Sequence, residues 1–438
     1  MTPREGYAPL LTDDGAATGP TTRERFRRLG RNVKLISIFG FLFHCGWSVW
    51  ERNLFPVYFA AEHGVQGVGY VQSAQGLVAL VAAPLIGTWM DATSSTARVG
   101  RFTVVVGCAA LAGVLAAFAR GSEAWTYVAL CVWGVLLSAQ GIYCDTMLAA
   151  SSEKGPERQF AFVAKSTLWR LGNVVGQAVN LVYFWTNGDS WESRGLVEIM
   201  SLGVVLCFSV VLLAWVREVA DAPGDAPTPS PAGMAARAAE AADAPELRPP
   251  AAPWYRRPPQ IILAAVVLRV IGKGATMRLI PVLFADVYGL RPASLTLVVL
   301  AAQVVSVGAP LACDSLSRLV GRAPTMVLVR LVEPAALATL ALSGDAWIAA
   351  AAFGLYLGLP VGTRAIEKAV LMDHAHKTSR ARWNAVESIN RGTWAGSAAL
   401  GGYLAHAYGY EAAFLASAAF TLAATIVLSL LLCSISTV

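Results

Sequence analysis

The chain has 438 residues, 56% of them hydrophobic and only 14% charged. Soluble globular domains carry about 25% charged residues, so a wholly soluble fold is excluded. The net charge of +6 sits beside apolar runs rather than on one face, which argues against nucleic acid as a partner.

Residues 1–34 form a polar N-terminal tail that ends in a basic cluster, Arg23, Arg25, Arg27, Arg28, Arg31 and Lys34. Apolar runs follow at 35–61, 67–90, 102–119, 124–148, 160–186 and 195–216. Six more lie at 260–285, 293–313, 324–343, 346–370, 385–408 and 411–433, before a short tail at 434–438. A membrane-crossing helix needs about 20 mostly apolar residues. Barrel strands would instead alternate in segments of about ten residues. The expected fold is therefore an all-α membrane protein with twelve spans.

Between the sixth and seventh runs, residues 217–258 are Ala- and Pro-rich with mixed charge. Such a segment cannot bury a core and reads as a flexible linker. It divides the chain into six-helix bundles at 35–216 and 259–433. Cations recur in every second loop: Arg98 and Arg101, Lys154 and Arg158, Arg318 and Arg322, then Lys377, Arg380 and Arg382. The alternate loops carry acids, which places both termini in the cytoplasm by the positive-inside rule. The seven cysteines all fall within spans and read as small apolar residues rather than disulfides or metal ligands.

The halves repeat. "LFPVYFA" at Leu54–Ala60 and "LIPVLFA" at Leu279–Ala285 agree at five of seven positions, 225 residues apart. Gly141, Asp145 and Arg170 recur as Gly362, Glu367 and Arg391 at an offset of about 221. The loop after span 2 holds Gly87, Asp91, Gly100 and Arg101, and the loop after span 8 holds Pro310, Asp314, Gly321 and Arg322. These loops resemble the Gly-x-x-x-Asp-(Arg/Lys)-x-Gly-Arg motif of the major facilitator superfamily. The resemblance covers about Lys34 to Cys433. It implies two parallel six-helix repeats with substrate between them near the midplane. It also implies that Asp91 and Asp314, with Arg98, Arg101, Arg318 and Arg322, pin an inner gate. Asp145 and Glu367 are expected partners for those arginines, and Arg170 and Arg391 are placed to pair with the same acids. The motifs assign no subfamily and no substrate.

Charge inside a membrane is a functional hypothesis by default. Span 1 carries His44 and Glu51 seven residues apart, hence on one face with Trp47 and Ser48 near it. Glu51 is a proton-coupling candidate or the partner of Arg52, and His44 a second proton or substrate contact. Span 7 carries Arg269, Lys273 and Arg278, which with Trp47 are candidate contacts for an anionic substrate, Arg269 and Lys273 foremost. Arg269 and Lys273 share a face, whereas Arg278 falls about half a turn away on an ideal helix. Gly272, Gly274 and Pro281 suggest a broken, cavity-lining helix. Arg364 on span 10 is a further substrate candidate. With Glu51 the only clear acid at that level, the cavity is expected to be positive.

The expected function is alternating-access, proton-coupled transport of a small organic anion by a monomer in a plasma membrane or endomembrane. No phosphate-binding loop, metal cluster or nucleophile elbow is present, so neither enzyme activity nor a cofactor is expected. A uniporter or exporter of a neutral or cationic compound, and a non-transporting sensor or scaffold, stay open as alternatives.

Overall fold

The computed structural model describes residues 22–93, 95–152, 156–218, 258–374 and 397–435. Most of the linker and Arg391 lie outside those residues. After a short basic helix, Thr22–Arg28, every described element is helical. Span 1 comprises Arg31–Trp50 and residues 54–63, and span 2 comprises residues 65–92. Spans 3 to 5 are Thr96–Arg120, Glu123–Ala150 and Pro156–Asn187. Span 6 is Ser193–Cys207, which tightens into a 3-10 helix over Phe208–Trp215.

The second half follows the same order. Span 7 is Pro258–Met277 with Ile280–Asp286. Spans 8 to 10 are Pro292–Val320, Arg322–Leu342 and Ala346–His374. Ala398–Ile435 holds the end of span 11 and all of span 12, joined at Gly409.

Among the described residues nine stretches are long and apolar enough to cross a membrane. Two of them run two spans together through a turn, at Gly64 and at Gly409. Span 5 is polar along one face, with Lys165, Arg170, Asn173, Gln177 and Asn180, and completes the twelve passes. Large apolar residues such as Leu77, Val81, Leu85, Val105, Trp185 and Ile426 remain exposed on the outer surface. In water they would be a liability; facing lipid they need no further cover.

The twofold repeat is written into the backbone. Gly64 and Gly289 have φ of 75° and 62°, and their numbers differ by the repeat offset of 225. Gly188 and Gly409, with φ of 105° and 85°, are 221 apart. Left-handed backbone at these turns favours glycine, which has no Cβ to clash. Spans 1 and 7 break at equivalent points, residues 51–53 and 278–279. The cause is a shared proline. Pro56 and Pro281 have no N–H to offer the carbonyls four residues earlier, those of Arg52 and Met277. Span 7 therefore breaks beside Pro281, not at its glycines. Gly272 instead packs on span 12, where an added Cβ would stand 2.9 Å from the Ser417 carbonyl.

Each half is closed by backbone-level packing of equivalent pairs, span 1 on span 5 and span 7 on span 11. A Cβ at Gly172 or Gly176 would lie 2.3 Å from the carbonyl of Phe41 or Cys45, and one at Gly401 only 1.7 Å from that of Ala275. Small residues are what let membrane helices approach this closely. Gly176→Val and Gly401→Val are each expected to abolish recovery of a monodisperse protein, read by size-exclusion chromatography in detergent. Normal elution of both variants would contradict the packing assigned to these helices. In the N-terminal half the core around these helices is aromatic: Trp133 stacks on Phe43 at 5.4 Å and meets Trp50 edge-on at 5.2 Å.

The halves meet mainly at the end away from the termini. Trp191 Nε1 donates to the Leu290 carbonyl at 2.9 Å, and the Ala293 amide donates to Asp189 Oδ1 at 2.8 Å. Deeper in, the Ala399 amide donates to Ser73 Oγ at 2.7 Å. Spans 2 and 11 touch backbone to backbone, since a Cβ at Gly69 would lie 2.7 Å from the Ala398 carbonyl and 3.0 Å from Gly402 Cα.

Candidate functional site

Glu51 lies in the break of span 1 and is fully buried, 0% exposed. Its carboxylate accepts from Arg278 Nη2 at 2.6 Å and from Trp47 Nε1. Arg278 Nη1 also donates to the Glu51 carbonyl at 3.3 Å. The two repeat-related breaks are thus tied across the halves by a buried ion pair. The sequence put Arg278 on a divergent face by assuming a continuous helix. The break at 278–279 removes that assumption. Arg52 sits 5.0 Å from the centre of the Trp47 indole, a cation–π geometry.

Arg269 and Lys273 meet acids of their own half. Arg269 Nη2 lies 3.8 Å from Glu367, and Lys273 Nζ lies 3.7 Å from Glu333 and 4.7 Å from the centre of the Tyr356 ring. Arg330, on span 9, joins the two acids: its Nε donates to Glu367 at 2.9 Å and its Nη1 to Glu333 at 2.9 Å. Sequence reasoning passed over Arg330, Glu333 and Lys165. The signal was there: "VRLVEP" places opposite charges three apart inside an apolar run, where they need partners. The expectation that Glu51 is the only acid near the span-7 cations therefore does not hold, because Glu333 and Glu367 stand beside them.

In the first half, Asp145 pairs with Lys165, a residue twenty positions later on span 5, rather than with Arg170 or a loop arginine. Lys165 also lies 4.1 Å from the centre of the Trp169 ring. His44 stacks on the same indole at 4.6 Å and packs against Trp47 at 5.1 Å. Trp169 can reach this position because span 1 has Gly40 beneath it.

Away from the helix ends and loops, Arg52, Arg170 and Arg364 make no ion pair among the described residues. Arg52 has its indole contact. Arg170 reaches only the Ser306 carbonyl in the other half, at 3.5 Å. Arg364 is exposed although it lies well inside span 10. Arg170 is close enough to both Arg52 and Arg364 for their charges to interact.

Of the gate residues expected from the loop motifs, Arg98, Arg101 and Arg322 are exposed at the end that bears the termini. The side chains of Asp91, Asp314 and Arg318 and the whole of Arg391 lie outside the described residues. Six of the cysteines, Cys45, Cys108, Cys131, Cys144, Cys207 and Cys313, are free thiols within the spans.

The family model of the Major Facilitator Superfamily matches residues 36–382. The chain belongs to the major facilitator superfamily. It is a membrane transporter of that superfamily, with the twelve-span fold of two parallel repeats. No curated protein matches the chain. Among solved structures it resembles a variant of the nucleoside transporter NupG, with a TM-score of 0.68, 13% identity, and 91% of this chain covering 99% of that one. A bacterial homologue of the iron transporter ferroportin, in an inward-facing state, gives a TM-score of 0.67 at 13% identity, covering 91% and 98%. A D-xylose–proton symporter gives 0.65 at 12% identity, covering 90% and 96%. At such identities the likeness of this superfamily member to those proteins is one of fold.

Proposed function

We propose that the protein is a secondary active transporter that carries a small organic anion by alternating access, coupled to protons. One observation carries the reading. Every described acid in the interior seam, Glu51, Asp145, Glu333 and Glu367, is held by a cation, while Arg52, Arg170 and Arg364 are not held by an acid. An arginine that lines the seam between the halves without a protein counter-ion is open to one supplied by a ligand. Arginine forks suit carboxylate and phosphate oxygens. This moves the anion site from Arg269 and Lys273, which remain neighbours of the path, toward Arg170 and Arg364.

Glu51 supports the coupling. With the far end closed, its carboxylate sits against Arg278. Separation of the halves there removes the cation, and a carboxylate in an apolar seam without its cation takes up a proton. Closure restores the pair and releases the proton on the other side. His44 stands one turn from Trp47 on the same helix and is a second group able to carry a proton. The xylose–proton symporter shares the fold, which is compatible with coupling and does not by itself argue for it.

Thermal stabilisation of the purified protein by a panel of organic anions, sugars, nucleosides and organic cations tests the substrate sign. Anions are expected to raise the melting temperature, since a ligand stabilises the state that binds it. Arg170→Gln and Arg364→Gln are each expected to weaken the response about tenfold to a hundredfold, the loss of a charge-assisted contact. Stabilisation by neutral or cationic compounds alone would reject the anion reading.

A further inference from the structure

We propose that His44 and Asn173 form an uncharged recognition element beside Arg170, and that it reads a hydroxyl on the transported anion. The substrate class is thereby narrowed to compact hydroxycarboxylates. The proposal rests on the anion reading above.

His44 is 7% exposed and Asn173 5% exposed. Both imidazole nitrogens and Asn173 Oδ1 lack a hydrogen-bond partner. The Asn173 side chain sits against the imidazole as its nearest hydrogen-bonding group, but the geometry is too open for a closed bond. The indole Nε1 of Trp169 is likewise unpartnered. Buried polar groups are nearly always hydrogen-bonded, and those that are not call for a reason.

Lack of donors nearby is not that reason. Four residues on, the same seam between spans 1 and 5 is well bonded. Ser48 Oγ donates to the Asn173 carbonyl at 3.0 Å, Gln177 Nε2 donates to Ser48 Oγ at 2.6 Å, and Asn53 Nδ2 donates to Gln177 Oε1 at 2.8 Å. The unpaired atoms gather one turn further along, beside Arg170.

The geometry explains why the imidazole edge is left over. Its faces are covered by Trp169 at 4.6 Å and Trp47 at 5.1 Å. Those indoles carry Lys165 at 4.1 Å and Arg52 at 5.0 Å on their own rings. The charged groups that bear on His44 are these two cations, Lys165 and Arg52. In its neutral form the ring edge offers one donor and one acceptor, and Asn173 Oδ1 offers a further acceptor. A hydroxyl placed between the two side chains accepts from the imidazole N–H and donates to Asn173 Oδ1.

Arg170 and Asn173 are three residues apart on span 5 and so share a face, separated by about 4.5 Å of helix rise. A carboxylate on Arg170 therefore places a carbon one to three bonds away beside His44 and Asn173. That is the dimension of a two- to four-carbon hydroxy acid.

The test compares lactate with propanoate and 3-hydroxybutanoate with butanoate, by thermal stabilisation of the purified full-length protein. Each hydroxylated acid is expected to act at about one-tenth the concentration of its partner, the scale of one hydrogen bond to a buried site. His44→Phe and Asn173→Leu are each expected to bring that ratio toward one. His44→Gln, which retains a donor and an acceptor, should restore part of the ratio. Arg170→Gln should weaken both members and keep the ratio. Equal responses to both members in the parent protein overturn the proposal, as does an unchanged ratio in His44→Phe and Asn173→Leu. If no anion acts at all, the anion reading itself fails, and that result is distinct from the loss of the hydroxyl preference.

Discussion

Arg330→Ala is expected to cost the protein about 3–5 kcal/mol, the scale of leaving a buried charge without its partner. Arg330 is 2% exposed and holds two carboxylates, Glu333 at 2.9 Å and Glu367 at 2.9 Å. Removing it leaves Lys273 and Arg269 as the remaining cations, at 3.7 Å and 3.8 Å, too far for a close charge-assisted hydrogen bond. Three spans, 7, 9 and 10, lose their common tie. Arg330→Lys should fall between, because an ammonium cannot reproduce the fork that reaches both acids. Melting temperature in detergent measures the order, wild type above Arg330→Lys above Arg330→Ala. An Arg330→Ala protein with the parent's melting temperature would show that the network contributes nothing to the fold.

The second large effect concerns function more than folding. Glu51→Gln is expected to abolish proton movement in vesicles loaded with a pH-sensitive dye, while substrate-driven stabilisation persists. Arg278→Ala acts differently. It leaves a fully buried carboxylate, 0% exposed, with Trp47 as its remaining donor. The far-closed arrangement then loses about 3–5 kcal/mol, enough to populate the alternate state heavily. The double variant Glu51→Gln with Arg278→Gln should regain most of that stability without regaining proton coupling. Retained coupling in Glu51→Gln would transfer the proton role to His44.

The fold was legible because its determinants are long-range in composition and short-range in sequence. Apolar runs of span length, a duplicated proline motif and alternating loop charge each carry the information locally. The helix breaks could be placed from Pro56 and Pro281 once their carbonyl partners are considered; the glycines of span 7 misdirect. The site was legible in kind but not in pairing. That Arg278 reaches Glu51, and Arg269 reaches Glu367, depends on how spans face one another. No periodicity within a single helix states that. Arg330 and Glu333 were missed for a different reason: they lie on span 9, where the repeat offers no charged counterpart to draw attention to them. Asn173 was missed because an amide within a polar helix face resembles its neighbours until their bonds are traced.

The contact of Gly69 with Gly402 has a mechanical consequence. Side chains that interlock across a moving interface act as teeth, and each step past a tooth requires rotamer changes in a close-packed interior. Here spans 2 and 11 bear on each other through bare backbone, with Gly69 against the Ala398 carbonyl and Gly402 Cα. A surface of that kind rolls without ratcheting. The two halves can rock about spans 2 and 11 as on a plain bearing, and resistance to the motion falls on the ties at the far end, Glu51–Arg278, Trp191–Leu290 and Asp189–Ala293, of which the first is the one the proposed proton would release.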